Sequence, residues 1–173
     1  MRREWPLVWK RGEWNPAYKK DEGMDENNYR PITLLTIVGK VYESMSTQIS
    51  SYMDSKLDHC VSAYRKNYSC ETTLLALTKN WKLTPDSKQC IVLLSTDMSK
   101  AFDSLLSPLL INKLQAYGFS DEALSLMRSY FTERQNRVKL YGVTGTWKDS
   151  PRGCPQGSFF GPLLWNIYYC KQC

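Results

Sequence analysis

The chain has 173 residues, of which 42% are hydrophobic, 13% aromatic and 23% charged. This length and this supply of apolar side chains are typical of one ordinary domain with a core, and they exclude a wholly disordered chain. Lys and Arg outnumber Asp and Glu by 23 to 17, for a formal net charge of +6. The excess suits a polyanionic partner such as nucleic acid, although a basic protein without such a partner has the same composition.

The N-terminus lacks the apolar core of a secretory signal, because the apolar stretch at residues 5–9 is short and is followed by basic residues. No apolar run approaches the roughly 18 residues needed to cross a bilayer. We therefore expect an intracellular protein, in the nucleus or the cytoplasm, that is neither secreted nor membrane-bound. The C-x-x-C pair Cys170 and Cys173 lies far in sequence from the one histidine, His59, so two incidental cysteines are favoured over a zinc site.

The first half of the chain is predicted to be helical after an irregular start. Residues 1–27 are polar and rich in Trp, and are predicted to be irregular. Arg30 precedes a proline and is therefore expected to be extended. A period of four predicts a helix with one buried stripe; its apolar positions are Val41, Met45, Ile49, Met53 and Leu57. A second helix is predicted over residues 69–83.

A strand and two helices are predicted next. Residues 90–94 form an unbroken apolar run, which suits a strand that is covered on both faces. Ser107, which precedes a proline, is predicted to be the N-cap of a helix that ends at Gly118. Ser120 is predicted to cap the following helix, whose first turn is acidic. The core face of that helix consists of Leu124, Met127 and Phe131.

The last part of the chain is predicted to form a hairpin and a final helix. Val138 and Leu140 alternate with polar residues, and glycines follow at positions 142 and 145. Ser158 is placed to cap a helix that presents Leu163, Leu164 and Ile167 to the core. Helices, a strand, further helices, a hairpin and a helix in this order indicate an α+β fold.

One carboxylate is notable for its position. Asp97 follows the predicted strand at residues 90–94, and open sheets present functional groups at strand ends. A carboxylate there can coordinate a hard cation such as Mg²⁺. A lone Asp after a strand is also a common turn or cap residue, so the position alone leaves both interpretations open.

Residues 95–103 have the sequence S-T-D-M-S-K-A-F-D, and residues 152–164 have the sequence R-G-C-P-Q-G-S-F-F-G-P-L-L. These two segments resemble motifs A and B of one family, the reverse transcriptases of non-LTR (LINE-like) retroelements. Residues 28–35, N-Y-R-P-I-T-L-L, followed by Lys40 and Glu43, are similar to the first fingers motif. Residues 63–73, A-Y-R-K-N-Y-S-C-E-T-T, are similar to the second. The resemblance implies the fingers, over residues 28–88, and part of the palm, over residues 89–173, of a right-hand polymerase.

The resemblance also implies roles for motif A residues. Asp97 matches the catalytic carboxylate that holds Mg²⁺ in two-metal phosphoryl transfer. Phe102 matches the aromatic residue that lies under the incoming sugar, where a 2′-hydroxyl would clash, although an ordinary core aromatic would look the same. Asp103 matches a second acid of the motif, and we expect it to be a structural carboxylate rather than a metal ligand.

Further roles follow for motif B and for basic residues. Gln156 and Gly157 match the loop that contacts the incoming nucleotide and the template. The same residues also fit a Pro-Gly turn that caps a helix, and the two interpretations are compatible. The triphosphate would be held by basic fingers positions, namely Arg30, Lys40 and Arg65. Lys66 and Arg152 are weaker candidates for contacts with the nucleic-acid backbone. The implied partners are an RNA template, a DNA primer and deoxynucleoside triphosphates, with no membrane.

The chain ends before the place of motif C, a hairpin that carries two aspartates in this family. We therefore expect a C-terminally incomplete polymerase domain that is inactive by itself. Two alternatives stay open. A viral-type RNA-dependent RNA polymerase would carry an acid where Phe102 stands, so it is disfavoured. A non-catalytic nucleic-acid-binding remnant fits the charge and the early end of the chain.

Overall fold

The computed structural model describes residues 4–19, 22–44, 46–83, 91–98 and 100–170. Two units of structure organise them: a five-stranded sheet and a group of packed helices. Both are built from segments that are far apart in sequence, so the sheet and the helical core bring the two halves of the chain together.

The sheet has strands from both halves of the chain. The strands are β1 (Arg11–Tyr18), β2 (Tyr29–Leu34), β3 (Gln135–Leu140), β4 (Val143–Thr144) and β5 (Lys148–Asp149). Their order is β2-β1-β3-β4, and β5 also pairs with β3. β1 pairs antiparallel with β2 and parallel with β3, so this strand lies between two partners.

An ion-pair group joins β1 to β3. The carboxylate of Glu13 accepts hydrogen bonds from Arg137 and from Lys139, which holds the pKa of that carboxyl below its usual value. β3 then turns back into β4 through Tyr141 and Gly142, which have φ values of 48° and 82°. Two consecutive positive φ values are typical of a type I′ hairpin turn, and the predicted hairpin is confirmed.

The helices are α1 (Leu7–Lys10), α2 (Ile37–Ser44), α3 (Ser46–Asp54), α4 (Cys70–Leu83), α5 (Ser107–Ala116), α6 (Asp121–Phe131) and α7 (Phe160–Tyr169). The helix predicted from Val41 to Leu57 is observed in part, as α2 and α3, and α3 ends at Asp54. Of the predicted buried stripe, Met53 and Leu57 are buried, whereas Val41 is 63% exposed. The Ser120 hydroxyl accepts the Ala123 N–H at the start of α6, which confirms that predicted cap. Ser107, in contrast, is already inside α5, whose N-cap is Leu106.

The core lies between α5, α6 and α7. Fully buried side chains include Leu110, Leu114, Tyr130, Leu164 and Ile167. Trp5 adds a large ring from the N-terminal segment and is in edge-to-face contact with Tyr130 and Phe160. The predicted core positions on α6 and α7 are therefore confirmed.

Residues 4–19, predicted to be irregular, contain α1 and β1. Arg11–Tyr18 carries a glycine and a proline and does not alternate, so its sequence lacks the usual pattern of a strand. The strand exists because β2 and β3 bond to it from both sides.

The strand predicted over residues 90–94 is not observed in its described part. Residues 91–98 have no regular secondary structure, and Val92 and Leu94 are 90% and 86% exposed. A strand needs a neighbour that bonds to its backbone, and none of the described strands pairs with this run. Cys90 lies outside the described residues.

α4 confirms the helix predicted over residues 69–83, and a reciprocal pair of bonds between Ser69 and Thr72 caps its start. Its apolar residues Leu74 and Leu75 are exposed. None of the described helices is long and apolar enough to cross a membrane.

Candidate functional site

The motif B segment is held by backbone hydrogen bonds to motif A and to the first fingers motif. The N–H of Cys154 donates to the carbonyl of Phe102 at 2.9 Å, and the N–H of Gly153 donates to the carbonyl of Leu105 at 2.9 Å. From the other side, the N–H of Thr33 on β2 donates to the carbonyl of Gln156 at 2.8 Å. Three of the four motifs therefore meet at one place.

Glycine allows two of these close approaches. Gly153 has a φ of +82°, and a Cβ added there would lie 2.7 Å from Asp103 Cα. Gly157 has a φ of +110°, and a Cβ there would lie 3.0 Å from the carbonyl oxygen of Thr33. Both positions combine a backbone conformation that favours glycine with a backbone neighbour that has little freedom to move.

An open cavity of about 320 Å³, including solvent-facing space, lies beside this junction. Its polar lining includes Asp103, Arg134, Asn136, Arg152 and Gln156. Arg134 and Asn136 are buried, and the Arg134 Nη2 and Asn136 Oδ1 atoms have no hydrogen-bond partner among the described residues. Both atoms are themselves buried, so this unpaired donor and this unpaired acceptor lie behind the cavity surface rather than on it.

Asp103 and Gln156 face each other in this wall. Gln156 Nε2 donates to Asp103 Oδ2 at 3.5 Å, which is a long hydrogen bond. Partial burial raises the pKa of the Asp103 carboxyl, while the hydrogen bond from Gln156 opposes that shift. Asp103 thus belongs to the motif junction.

Phe102 is half-buried in an aromatic group. Its ring centroid lies 6.3 Å from that of Tyr64 in the second fingers motif and 5.8 Å from that of Trp165 on α7. A Cβ added at Gly161, also on α7, would lie 3.7 Å from the ring of Phe102. This placement brings the remaining motif to the same region.

Asp97 is exposed, in the segment without regular secondary structure. Its neighbour Met98 accepts a hydrogen bond at its sulfur from the Tyr169 hydroxyl. Within the described parts of the chain, the one group of three side chains that could jointly hold a metal ion is Asp58, His59 and Cys60, and Asp97 is not in it. A Mg²⁺ site needs several oxygen ligands, so the described residues around Asp97 do not form a complete one.

The predicted basic residues differ in their surroundings. Arg65 has a side chain that is 7% exposed, and four of its N–H groups donate to Asp54, Asp58 and Val61. Its guanidinium also lies 4.4 Å from the ring centroid of Tyr68. These contacts give Arg65 a structural role in the loop after α3.

The other candidate cations are more accessible. Lys40 on α2 is half-buried, and the exposed ones are Arg30, Lys66 and Arg152. Arg152 lines the cavity beside the motif junction. Arg30 lies on β2, opposite Ala17 of β1.

A buried polar group beside motif B was not predicted from the sequence. Glu43 accepts hydrogen bonds from the Tyr130 hydroxyl and from the backbone N–H of Phe159, and the Tyr130 hydroxyl also contacts Ser158 Oγ. Burial raises the pKa of Tyr130 well above its usual value and that of Cys154 to about 11. The partners are 87 and 116 positions apart from Glu43. The one sequence signal was the resemblance that includes Glu43.

Comparison with known proteins supports the motif assignments. The sequence model of the family described as "Reverse transcriptase (RNA-dependent DNA polymerase)" matches residues 18–171. The "Retrovirus-related Pol polyprotein from type-1 retrotransposable element R1" of Bradysia coprophila is 35% identical over 153 residues, which is 83% of this chain and 14% of that protein. The "Probable RNA-directed DNA polymerase from transposon BS" of Drosophila melanogaster is 28% identical over 169 residues, covering 94% of this chain and 18% of the relative.

A third relative extends the same pattern. The "RNA-directed DNA polymerase from mobile element jockey" of Drosophila melanogaster is 24% identical over 167 residues, or 94% of this chain and 18% of that protein. The chain therefore spans less than a fifth of the length of each of these relatives. With four motifs in family order and a family match over most of its length, the chain belongs to the reverse transcriptases of non-LTR, LINE-like retrotransposons.

Proposed function

We propose that this chain forms part of the polymerase domain of an enzyme that copies RNA into DNA. The observation that carries the proposal is the junction at which motif A, motif B and β2 are joined by backbone hydrogen bonds beside one polar cavity. Because the chain spans 14–18% of the length of its relatives, the activity of the whole enzyme is part of the proposal.

The proposed division is fingers over residues 28–88 and partial palm over residues 89–173. The first region contains β2 and α2 to α4, and the second contains α5 to α7. The bond between Thr33 and Gln156 and the contact between Tyr64 and Phe102 both join the two regions. In this arrangement, the nucleotide would bind where the regions meet.

Three residues at the junction are proposed to contact the incoming nucleotide. Gln156 offers an amide whose described bond to Asp103 is long, so the amide can exchange it for a ligand. Gly157 exposes backbone without a side chain in the way. Phe102 would exclude a 2′-hydroxyl by bulk, which is selection through a repulsive contact.

Asp97 is proposed to be the catalytic carboxylate of motif A and a ligand of Mg²⁺ in the complete enzyme. The exposure of its side chain leaves its oxygens available. When bound, Mg²⁺ would neutralise charge on the transferred phosphoryl group. Because the described residues supply no complete ligand set, further carboxylates would have to come from elsewhere in the enzyme.

The basic residues are proposed to bind phosphates. Arg30, Lys40 and Arg65 would hold the triphosphate, while Lys66 and Arg152 would contact the backbone of the RNA template or DNA primer. Arg65 has one N–H group left after its four described hydrogen bonds. Its contribution would therefore be smaller than that of the accessible cations.

Equilibrium nucleotide binding by the purified chain tests the proposal. A labelled deoxynucleoside triphosphate with Mg²⁺ is titrated in the presence of an RNA template annealed to a DNA primer, and anisotropy reports binding. We expect weak binding that Gln156→Ala reduces, because the amide faces the cavity. Gln115→Ala, an exposed site on α5, is the matched control and should bind as the unchanged chain does.

Two results would overturn the assignment. Binding that is equal in both variants would remove Gln156 from the nucleotide site. A chain that binds the primer–template duplex but no nucleotide would favour the nucleic-acid-binding remnant instead.

A further inference from the structure

A buried carboxylate on α2 is bonded directly to the start of α7. Glu43 is 1% exposed. Its Oε2 accepts the backbone N–H of Phe159 at 2.8 Å, and its Oε1 accepts the Tyr130 hydroxyl at 3.1 Å. The carboxylate therefore links α2 to both α6 and the motif B segment.

Tyr130 extends the link to a second group at the same helix end. Its hydroxyl lies 3.0 Å from Ser158 Oγ, which accepts the N–H of Phe160 at 3.1 Å. The first N–H groups of a helix have no partner within the helix. Glu43 and Ser158 thus satisfy two of these groups at the beginning of α7, and Tyr130 connects the two acceptors.

The two N–H groups that donate to Glu43 and Ser158, those of Phe159 and Phe160, follow the Gln156–Gly157 turn along the chain. On its other side the turn is fixed by the bonds of Gly153 and Cys154 to the motif A segment. We propose that Glu43 is a positioning residue, whose carboxylate holds the start of α7 and thereby sets the place of the Gln156–Gly157 turn. The functional meaning rests on the proposed function, since that turn is the proposed nucleotide contact.

The contacts of Glu43 distinguish it from a carboxylate that serves the core in general. The hydrogen bonds described for its side chain go to Tyr130 and to the motif B segment. Among the described residues, no cation lies within ion-pair distance of it. Removing the acceptor would leave the N–H of Phe159 without a partner next to the turn.

Two buried thiols allow a local effect to be separated from a global one. Cys154 is 4% exposed and lies in the motif B segment, whereas Cys170 is 1% exposed and lies just beyond the other end of α7. Loosening of the turn should make Cys154 accessible to an alkylating reagent such as N-ethylmaleimide. Unfolding of the core would expose both thiols. Peptide mass spectrometry measures the two rates separately.

Two substitutions of Glu43 separate the effect of side-chain shape from the effect of hydrogen bonding. Glu43→Met keeps the length of the side chain and removes the acceptors. Glu43→Gln keeps an acceptor for Phe159 and can donate to the Tyr130 oxygen. We expect alkylation of Cys154 in Glu43→Met to be roughly tenfold faster than in the unchanged chain, the scale of one lost buried hydrogen bond. Cys170 should react at an unchanged rate, and Glu43→Gln should restore protection of Cys154.

Equal acceleration of both thiols, or of neither, would overturn the proposal. If Glu43→Met does not fold, Tyr130→Phe removes the connecting hydroxyl while keeping the ring. Because that hydroxyl also lies 3.8 Å from Cys154 Sγ, this variant is followed by hydrogen exchange at the Phe159 and Phe160 amides, and selectively faster exchange there is expected. A Tyr130→Phe chain with no selective change would also overturn it.

A second alkylation experiment, with nucleotide present, distinguishes failure of this proposal from failure of the proposed function. Alkylation is repeated with a deoxynucleoside triphosphate, Mg²⁺ and the primer–template duplex. Protection of Cys154 by nucleotide would support both proposals. Selective acceleration in Glu43→Met without any nucleotide effect would leave the positioning role standing and count against the nucleotide site.

Discussion

Phe102 has aromatic neighbours on two different segments, Tyr64 in the second fingers motif and Trp165 on α7, and its ring is only half-buried. The proposed role depends on bulk, so we expect Phe102→Ala in a complete polymerase to admit ribonucleotides. Deoxynucleotide incorporation should suffer less, because no hydrogen bond to the substrate is lost. Primer extension with each nucleotide class measures the ratio.

Phe119→Ala is a suitable control for the Phe102 experiment. Phe119 is also a partly buried aromatic residue, but it packs against Tyr52 in the helical part of the chain. Continued rejection of ribonucleotides by Phe102→Ala, or equal relaxation in both variants, would refute the exclusion role of Phe102.

Gly153 and Gly142 form a matched pair at the residue scale, because both have a φ of +82°. An alanine at Gly142 meets nothing within 4 Å, so we expect it to cost only the conformational penalty of about 1–2 kcal/mol. An alanine at Gly153 would also collide with the Asp103 backbone. Overpacking of that kind adds about 1–3 kcal/mol.

Urea denaturation of the two alanine variants measures this difference in the free energy of unfolding. Equal losses of stability at the two positions would mean that the motif A backbone yields to the new methyl group. The backbone contact between motifs A and B would then be more deformable than the described hydrogen bonds indicate.

The two serines at helix starts provide a test at the scale of the element. Ser120 Oγ accepts the N–H of Ala123, whereas the N-cap of α5 is Leu106 and has no side-chain cap. We expect Ser120→Ala to lower the free energy of unfolding by about 1 kcal/mol. Ser107→Ala should change it by less than about 0.5 kcal/mol. Thermal and urea unfolding followed by circular dichroism check both values, and a larger loss at Ser107 would contradict the described caps.

Elements whose signals are local were predictable from the sequence. α6 has its cap, its acidic first turn and its apolar period within a dozen residues, so pattern and structure agree. β1 was missed because its partners β2 and β3 create it, and its own sequence has little strand character. The opposite error occurred at residues 91–94, where an apolar run without a described neighbour forms no strand.

The candidate site shows the same division between features with a local sequence signal and features that depend on distant residues. Phe102, Gln156 and Gly157 were selected from contiguous motifs, and the structure brings the segments that carry them together; their roles stay predictions. Glu43 and Tyr130 carry their meaning only through contacts with distant residues. The spacing of residues along the sequence shows neither that the Glu43 carboxylate is buried nor which N–H group donates to it.

At the scale of the whole molecule, charge predicts how binding responds to salt. The formal net charge is +6, and phosphate contacts release counterions. We expect the chain to bind single-stranded RNA weakly and without sequence preference. The affinity should fall by roughly tenfold or more between about 50 and about 200 mM salt. Anisotropy titrations with two unrelated RNA sequences measure this, and an affinity independent of salt would contradict it.

The incomplete ligand set around Asp97 leads to a second molecular prediction. Two-metal transfer needs several carboxylates to fix both ions, and the described residues supply Asp97 without such a group. We expect the 173-residue chain alone not to extend a primer on an RNA template with Mg²⁺. Extension above background that disappears in Asp97→Ala would show that the chain contains a sufficient set of ligands.

The parallel pairing of β1 with β3 has a consequence for biosynthesis. β1 can pair with β2 soon after both leave the ribosome. The other edge of β1 stays unpaired until residues 135–138 of β3 have been synthesised. During that interval the edge is an open template for another chain, and pairing between such distant segments is intrinsically slow. A nascent or truncated chain that stops before β3 would therefore be at risk of association through β1, long before the junction of the motifs could form.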